Sequence, residues 1–347
     1  MSETLAEIGE FGLIDRIDRL LREDGMSGQG VTVGIGDDTA AFRPRPGVEI
    51  LVTCDCMVEG RHFLPEHISP MALGRRAMAM NISDIGAMGG RPLYALVSLG
   101  LRSEMRVADV EAMYRGFLQE LNPFGAAVIG GNLTKAADAS FIDVTLIGEV
   151  EAGGAVRRST ARPGDAVLVT GYPGQAAAGL QLLLMAASPG EILDHPLVRA
   201  YSEPGHRARE GRAVGESRCA TAMIDTSDGF LGDLGHICEE SGVGVDLIRD
   251  QLPVSADLVR GASQLSRDPH ELFLGDSDDY ELIITCPSDG ADRIRSAIAA
   301  VSDVPVTEVG RVTDERGAIH LILHGGKKRR LAAAGWDHFG GKGRADA

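Results

Sequence analysis

Aspartate residues recur in this sequence beside glycines and at the ends of apolar runs. Five short segments carry them: GIGDD (34–38), TCD (53–55), NISD (81–84), IDTSDG (224–229) and GDSDDYEL (275–282). Carboxylate, amide and hydroxyl oxygens are the ligands that hard cations such as Mg²⁺ prefer in proteins. Because Mg²⁺ usually accompanies phosphate groups, the five segments predict a cage of carboxylates that holds cations against a phosphate-bearing ligand.

Two of these segments come early in the chain. Thr53 and Asp55 lie two apart in a predicted strand, so their side chains share one face. Asp38 follows the preceding strand and could join them. Asp37 and Asp38 alone would indicate an ordinary turn after Gly36. Beside a strand that carries a hydroxyl and a carboxylate on one face, the ligand interpretation is the stronger one.

Asn81 and Asp84 lie three apart on a predicted helix and therefore share one surface. An aspartate in the last turn of a helix faces the negative end of the dipole, and the neighbouring Met80, Ile82 and Ile85 are apolar. A carboxylate buried there needs a cation or strong hydrogen-bond donors. A solvent-exposed Asp84 is the simpler alternative.

The segment 225–229 (DTSDG) lies between a predicted strand and a predicted helix. Ser227 or Asp228 could merely cap that helix, which is the usual role of such residues. A helix N-terminus is also an anion site, and Asp225 ends an apolar strand. A cap needs one such residue, and this segment offers four polar side chains.

Four further features each have a chemical and a structural interpretation. The GGN sequence at 130–132 predicts a glycine turn, which either approaches a ligand closely or only reverses the chain. The arginines at 157–158 could clamp a phosphate or lie solvated at the surface. His62 could donate to a phosphate or be a core histidine. Trp336, the only tryptophan, could stack on a flat ring or pack in a core.

Composition excludes several classes of function. The net charge is −16 over 347 residues, and the only basic run, at 327–330, indicates a solvated turn, so we expect no nucleic-acid partner. No apolar run has the roughly 18 residues of a membrane span, and the acidic N-terminus does not resemble a signal peptide. We expect a cytoplasmic protein with no membrane partner. The five cysteines have no zinc or redox spacing and are expected to pack in cores.

Strands and helices alternate in both halves, which predicts two α/β or α+β domains, 1–153 and 154–347, joined by a glycine-rich segment. Ser69 and Pro70 are a favourable start for a helix that runs to about Met88. No element is predicted between residues 242 and 280. Further helices are predicted at 11–22, 107–121, 176–187, 196–217 (interrupted near 204), 230–241 and 291–301, and strands at 31–33, 49–55, 93–101, 126–129, 141–150, 166–170, 220–225, 281–286, 307–312 and 319–323.

The sequence lacks the P-loop, the dinucleotide-binding glycine motif and the protein-kinase motifs. The ordered set of motifs instead resembles the thiamine-monophosphate kinase family, of the aminoimidazole-ribonucleotide-synthetase-like superfamily. Any one of them alone is weak, but together they span nearly the whole chain in the family's order. The matching pieces are GEFGLI, GIGDDTA, TCDCMVEGRHF, AMNISDIGAMGGRP, GGN, IDTSDGF, GDLGHI, DDYEL and GWDHF.

The resemblance implies an enzyme that phosphorylates thiamine monophosphate with ATP, as a homodimer whose N-terminal, ATP- and metal-binding domains build a β-barrel across the two subunits. It implies no catalytic residue beyond the metal ligands. The implied ligands of several Mg²⁺ ions are Asp38, Thr53, Asp55, Asp84, Asn132, Asp225 and Asp228. The implied ATP contacts are Gly131, Asn132, Arg158 and Ser227, and the implied contacts to thiamine monophosphate are His62, Asp278 and Trp336.

Two positions depart from the family's pattern. Asn132 stands where many members have an aspartate, and Asp278 stands at the position of a glutamate, one carbon shorter. These departures favour the alternative of a catalytically silent nucleotide- or metal-binding protein. Other enzymes of the superfamily are further alternatives. Selenophosphate synthetase would need a reactive cysteine before Cys54, and the hydrogenase-maturation enzyme would end in a cysteine, where this chain ends in Ala347.

Overall fold

The computed structural model describes residues 3–25, 28–35, 38–186, 190 and 192–332. The described chain divides into two compact units. The first contains the residues up to Gly86 together with Gly90–Gly153, and the second contains Ala87–Gly89 and the residues from Gly154 onward. Within the described ranges, no helix combines the length and the hydropathy needed to cross a membrane.

The first unit combines helices with a four-stranded sheet. Its helices are α1 (Leu5–Glu23), α2 (Pro70–Ala87) and α3 (Val107–Leu121), and its strands are β1 (Val31–Val33), β2 (Ala41–Phe42), β3 (Val48–Val58), β4 (Arg91–Leu101), β5 (Ala127–Lys135) and β6 (Phe141–Glu151). The sheet order is β3-β6-β4-β5, with β4 and β5 parallel and the other pairs antiparallel, while β1 and β2 form a separate hairpin.

The N-terminus of α2 has the predicted cap. The backbone N–H of Ala72 donates to Ser69 Oγ at 3.2 Å, and Pro70 is the first helical residue. A serine cap satisfies one of the orphan N–H groups, and proline at the first position loses no intrahelical bond. The prediction of this helix is confirmed, with its end one residue before Met88.

The two faces of the four-stranded sheet differ in burial. Along β6, Ile142, Val144 and Leu146 are buried, and the residues between them are only half-buried. This alternation is typical of a strand that is covered on one side. On β3, Ile50 and Val52 remain 40% and 65% exposed, and Cys54 and Cys56 on the same face are exposed as well. The expectation that all five cysteines pack in cores is therefore wrong for these two.

The second unit is built on a seven-stranded sheet of order β13-β12-β9-β11-β7-β10-β8, in which only the β9–β12 pair is parallel. Its helices are α4 (Gln175–Met185), α5 (Pro196–Ser202), α6 (Ala208–Ser217), α7 (Phe230–Ser241), α8 (Ala256–Gln264), α9 (Pro269–Leu274) and α10 (Ala291–Ala299). Its strands are β7 (Ala166–Thr170), β8 (Ala222–Asp225), β9 (Gly244–Ile248), β10 (Leu282–Cys286), β11 (Val306–Thr313), β12 (Ile319–Ile322) and β13 (Lys328–Leu331).

The central strands of this sheet are buried on both faces. Val167 and Val169 of β7 pack in a core with α7, whereas Leu168 packs on the other side with α6 and α10. Strands covered on both faces appear in a sequence as continuous apolar runs, which is why β7 and β10 could be predicted.

The basic run at 327–330 is not the turn that the sequence predicted. Residues Lys328–Leu331 form β13, the edge strand of the sheet, and Lys328 Nζ pairs with Asp246 Oδ2 at 2.6 Å. Charged residues on an edge strand discourage pairing with another chain, so the run has a structural explanation.

Candidate functional site

In the first unit, the structure brings Thr53 and Asp84 into direct contact. The hydroxyl of Thr53 on β3 donates to Asp84 Oδ2 in the last turn of α2. Asp55 lies two residues further along β3 and shares the face of Thr53. Both Asp55 and Asp84 are half-buried, so a helix end and a strand together present two carboxylates and a hydroxyl.

Asp38 lies in the loop between β1 and β2, and its side chain is exposed. The neighbouring residues 36–37 lie outside the described residues. The hairpin strands pair through Val31–Phe42 and Val33–Ala41. Asp38 therefore belongs to a hairpin loop and not to the end of a strand in the four-stranded sheet.

The GGN sequence is not a turn, which corrects the prediction. Gly130, Gly131 and Asn132 lie inside β5, where Gly131 pairs with Val97 and Asn132 with Ser98. A Cβ atom on Gly131 would lie 1.9 Å from the carbonyl oxygen of Val97. The glycine is therefore needed for the close approach of two strands.

The pairing register separates the predicted metal ligand Asp55 from the predicted ATP contact Gly131. Asp55 pairs with Val144, Val144 with Val97, and Val97 with Gly131. Asp55 and Gly131 thus lie in one row but on the opposite edge strands. Three inter-strand spacings of about 4.8 Å place the two positions about 14 Å apart within one copy of the sheet.

His62 is held by the turn that follows β3. The backbone N–H of Val58 donates to His62 Nδ1 at 3.0 Å, and the N–H of His62 donates to the carbonyl oxygen of Val58 at 2.9 Å. Because Nδ1 accepts a hydrogen bond, the neutral ring carries its proton on Nε2. The ring is half-buried.

In the second unit, the segment 225–229 joins β8 to α7. Asp225 is the last residue of β8 and is 1% exposed, whereas Ser227 is exposed and Asp228 half-buried. Gly229 is the N-cap of α7 and makes no side-chain cap. The alternative in which Ser227 or Asp228 caps the helix is therefore wrong.

Asp233 is bonded to the turn that precedes the helix. This residue of α7 is 2% exposed, and its Oδ2 atom accepts the backbone N–H groups of Ser227 and Asp228, both at 3.1 Å. Burial, together with the charges of Asp225 and Asp228, raises the pKa of Asp233 to about 8. The carboxyl groups of Asp225, Asp228 and Asp233 therefore lie close together at this turn.

Two more side chains lie beside Asp233. Oxygen and nitrogen atoms of Asp228, Asp233 and His236 all lie within 4.8 Å of one another. Arg158 is exposed, and its positive charge acts to lower the pKa of Asp233. Neither Asp233 nor His236 was predicted to be a site residue. The available signal was their spacing of three on one helix, within the GDLGHI sequence.

The segment that contains Asp278 is anchored on both sides. Ser277 Oγ accepts the N–H of Ala177 at 3.0 Å, and Asp279 accepts the N–H groups of Gly174 and Ala176 at 2.6 and 2.8 Å. Burial raises the pKa of Asp279 to about 6. Both neighbours of Asp278 thus bind the start of α4, which fixes the backbone from which Asp278 extends.

The same segment is bonded to the turn after β8. Thr226, which is fully buried, donates its N–H to the carbonyl oxygen of Glu281 at 2.7 Å and accepts the N–H of Tyr280 at 2.9 Å. Its hydroxyl accepts the N–H of Glu281 at 3.0 Å. Gly229, at φ 106°, allows the two segments to touch, because a Cβ atom there would lie 2.4 Å from the carbonyl oxygen of Gly275. The turn at 225–229 and the segment at 275–281 therefore form one connected structure.

The side chain of Glu281 further stabilises this connection. Its carboxylate accepts Arg207 Nε at 2.7 Å, Arg207 Nη2 at 2.5 Å and the hydroxyl of Thr170 at 2.6 Å. A bidentate arginine–carboxylate pair is a strong and directional interaction. Glu281 is thus a structural residue. Trp336, the remaining predicted substrate contact, lies outside the described residues.

Comparison with known proteins identifies the family of this chain. Residues 36–150 match the family of AIR synthase related proteins, N-terminal domain, and residues 162–322 match the family's C-terminal domain. The thiamine-monophosphate kinase of Bacillus subtilis is 35% identical over 311 residues, which cover 89% of this chain and 94% of the relative.

Solved structures give the same result. A crystal structure of the thiamine-monophosphate kinase of Stenotrophomonas maltophilia K279a is similar at a TM-score of 0.78 and 34% identity, covering 90% of this chain and 96% of the other. The structure of AaThiL complexed with AMPPCP and TMP is similar at a TM-score of 0.72 and 34% identity, covering 96% and 98%. By sequence and by fold, this chain belongs to the thiamine-monophosphate kinase family of AIR synthase related proteins.

Proposed function

We propose that this protein transfers the terminal phosphoryl group of ATP directly to the phosphate of thiamine monophosphate, which yields thiamine diphosphate and ADP. The single observation that carries the proposal is the turn at 225–233, where the carboxyl groups of Asp225, Asp228 and Asp233 lie together beside Arg158. A relative of 34% identity over nearly its whole length has been solved with AMPPCP and TMP.

The donor set fits Mg²⁺. The candidate ligands are carboxylate, amide and hydroxyl oxygens, which suit this hard cation. Bound Mg²⁺ would neutralise the charge of the phosphate groups and of the carboxylates. The candidate ligands are Asp38, Thr53, Asp55, Asp84 and Asn132 in the first unit and Asp225 and Asp228 in the second.

The chain's own groups have separate tasks in this reaction. Gly131, Asn132, Arg158 and Ser227 are the proposed contacts to ATP, and Arg158 can pair with a phosphate oxygen. The Nε2–H group of His62 can donate to the phosphate of the acceptor, and Asp278 and Trp336 are the other proposed acceptor contacts.

No general base is required for the proposed transfer. The acceptor is a phosphate oxygen, and since the second pKa of a phosphate monoester is about 6, it is largely ionised at pH 7. Phosphoryl transfer depends chiefly on in-line placement and charge neutralisation. We therefore propose direct transfer without a phosphorylated enzyme.

The test is a direct assay. The protein is incubated with ATP, Mg²⁺ and thiamine monophosphate, and thiamine diphosphate is quantified together with ADP at 1:1 stoichiometry. Tight binding of ATP without product would support a silent binding protein, the alternative that the Asn132 and Asp278 departures favour. A stable phosphorylated protein during turnover would contradict direct transfer.

We further propose that the protein is a homodimer whose first units close a β-barrel. In the described chain, β3 and β5 are edge strands, and the face with Ile50 and Val52 is exposed and apolar. A second copy that continues the sheet would bury this face and pair the open edges. It would also bring the Asn132 edge of one copy beside the Asp55 edge of the other. A cytoplasmic location is part of the proposal, supported by the use of ATP and by the five free cysteines.

A further inference from the structure

We infer that Asp233 is a positioning residue for nucleotide binding. Its side chain occupies the two backbone N–H groups of the 227–228 turn and so makes the binding of ATP there depend on Mg²⁺. The inference rests on the proposed binding of ATP. It concerns a residue for which the sequence motifs suggested no role.

The first step is the occupancy of the amides. Successive backbone N–H groups that converge in a turn form a concavity that can bind an anion. Here the N–H groups of Ser227 and Asp228 both donate to Asp233 Oδ2 at 3.1 Å. An internal carboxylate therefore fills the position that a phosphate oxygen would take.

The second step concerns the conformation of the turn. Asp233 is 2% exposed and lies in the first turns of α7, so its side chain has little freedom. The two amides that it binds belong to the proposed nucleotide contact Ser227 and the proposed metal ligand Asp228. Holding these amides fixes the directions in which the two side chains leave the backbone.

The third step concerns charge. The turn already contains Asp225 and Asp228, which are proposed metal ligands, and a phosphate bound there without a cation would face both carboxylates. With its amides occupied and its carboxylates close by, the turn can accept a phosphate only when a cation lies between them. Asp233 thus selects the metal-bound nucleotide over the free one.

Two substitutions separate the possible roles. Asp233→Asn keeps an oxygen acceptor for both amides, whereas Asp233→Ala removes it. Asp268→Ala is the matched control, because Asp268 also accepts a backbone N–H at a helix start, from His270 at 2.9 Å, and has no proposed contact with ATP. Thermal unfolding of all three variants reports the cost of losing these hydrogen bonds to the backbone.

Binding of a non-hydrolysable ATP analogue is then measured by calorimetry, once with Mg²⁺ and once with EDTA. We expect Asp233→Ala to bind about tenfold more weakly with Mg²⁺ and about tenfold more tightly with EDTA than the unmodified protein, because two amide donors become available. Asp233→Asn should stay within about threefold of the unmodified protein with Mg²⁺, and Asp268→Ala should match it in both conditions. Opposite changes in the two conditions cannot result from a general loss of structure.

Three outcomes would overturn the inference: unchanged binding in Asp233→Ala, a loss of binding in both conditions, or an Asp233→Asn variant as defective as Asp233→Ala. The last would assign Asp233 to the metal and not to the amides. These measurements need no turnover, so a protein that fails to make thiamine diphosphate but shows the opposite changes would refute the proposed function alone.

Discussion

The buried carboxylates of this chain differ in what balances their charge. Glu149 and Glu281 are buried against arginine side chains, and their nearest guanidinium nitrogens lie at 2.8 Å and 2.5 Å. Asp225 and Asp233 are as deeply buried, and burial together with the charge of Asp225 raises the pKa of Asp233. A buried carboxylate beside an arginine keeps its charge, whereas carboxyl groups gathered together need a cation or a proton. This contrast separates structural acids from candidate ligands more sharply than residue type does.

Asp55→Asn should reduce the formation of thiamine diphosphate by about 100-fold or more, since a lost metal ligand removes several kcal/mol of charge stabilisation. The thermal unfolding temperature should not fall, because the substitution also removes a negative charge. Initial rates at saturating ATP and Mg²⁺ check the prediction, with Asp15→Asn at an exposed position of α1 as the control. Full activity in Asp55→Asn would remove this residue from the metal site.

Glu149 should make the stability of the first unit depend on pH. Burial tends to raise its pKa, but hydrogen bonds from Arg45 and Arg91 outweigh burial and hold the pKa below the ordinary value of 4.5. A carboxyl group with a lowered pKa stabilises the fold above its unfolded pKa, and this contribution disappears as the pH falls through the folded value.

Glu149→Gln should therefore lower the free energy of unfolding by about 2 kcal/mol at pH 7. The difference from the unmodified protein should shrink as the pH falls below 4.5. Urea unfolding at pH 7 and at pH 4 tests both statements. A difference that is the same at both pH values would show that the charge of Glu149 does not matter.

At the scale of elements, the sequence predicted what local rules determine. Ser69, Pro70 and an apolar helical face determine α2, and continuous apolar runs determine β7 and β10. The GGN sequence was misread because the neighbour of Gly131 is β4, a strand distant in sequence. The strand β9 and the helices α8 and α9 were not predicted. In the case of β9, the strand is short and has the polar Asp246 in its centre.

The same reasoning explains how much of the candidate site could be predicted. Thr53 and Asp84 carry strong local signals, and the structure joins them. Asp233 follows Asp228 by five residues and lies inside an apolar helix. No local pattern indicates that its side chain reaches the N–H groups of the preceding turn. The link between Thr226 and Glu281 spans 55 residues, and no local pattern indicates it.

Gly229→Ala tests whether the two segments of the second unit must touch. The added Cβ atom would meet the carbonyl oxygen of Gly275 and would place alanine at a φ of 106°. We expect a loss of stability of about 2–4 kcal/mol and a rise in the KM for thiamine monophosphate. Gly317→Ala is the matched control, since its φ is also positive but nothing lies within 4 Å of the added atom. Equal effects of the two substitutions would show that only backbone strain matters.

At the scale of the whole molecule, the open question is what covers the exposed face of β3. Val52 is 65% exposed at the centre of an apolar edge strand, and exposed edges of this kind invite pairing with another chain. In the proposed homodimer, a second copy of the same sheet covers this face.

Val52→Arg should convert the proposed dimer into a monomer, because an unpaired charge would be buried between two sheets. Light scattering coupled to size exclusion measures the mass directly. We expect about 73 kDa for the unmodified protein, twice the 36.6 kDa of one chain, and one chain's mass for the variant, with activity lost in parallel. A monomeric unmodified protein with full activity would contradict the proposal.

The contact of Thr226 with Tyr280 and Glu281 also limits how this enzyme could be re-engineered. Three hydrogen bonds, two of them wholly between main-chain atoms, tie the two segments together. A loop taken from a relative in order to change the substrate would bring its own backbone conformation. Swapping 275–281 alone would therefore displace the turn at 225–229, so both stretches must be exchanged as a single module.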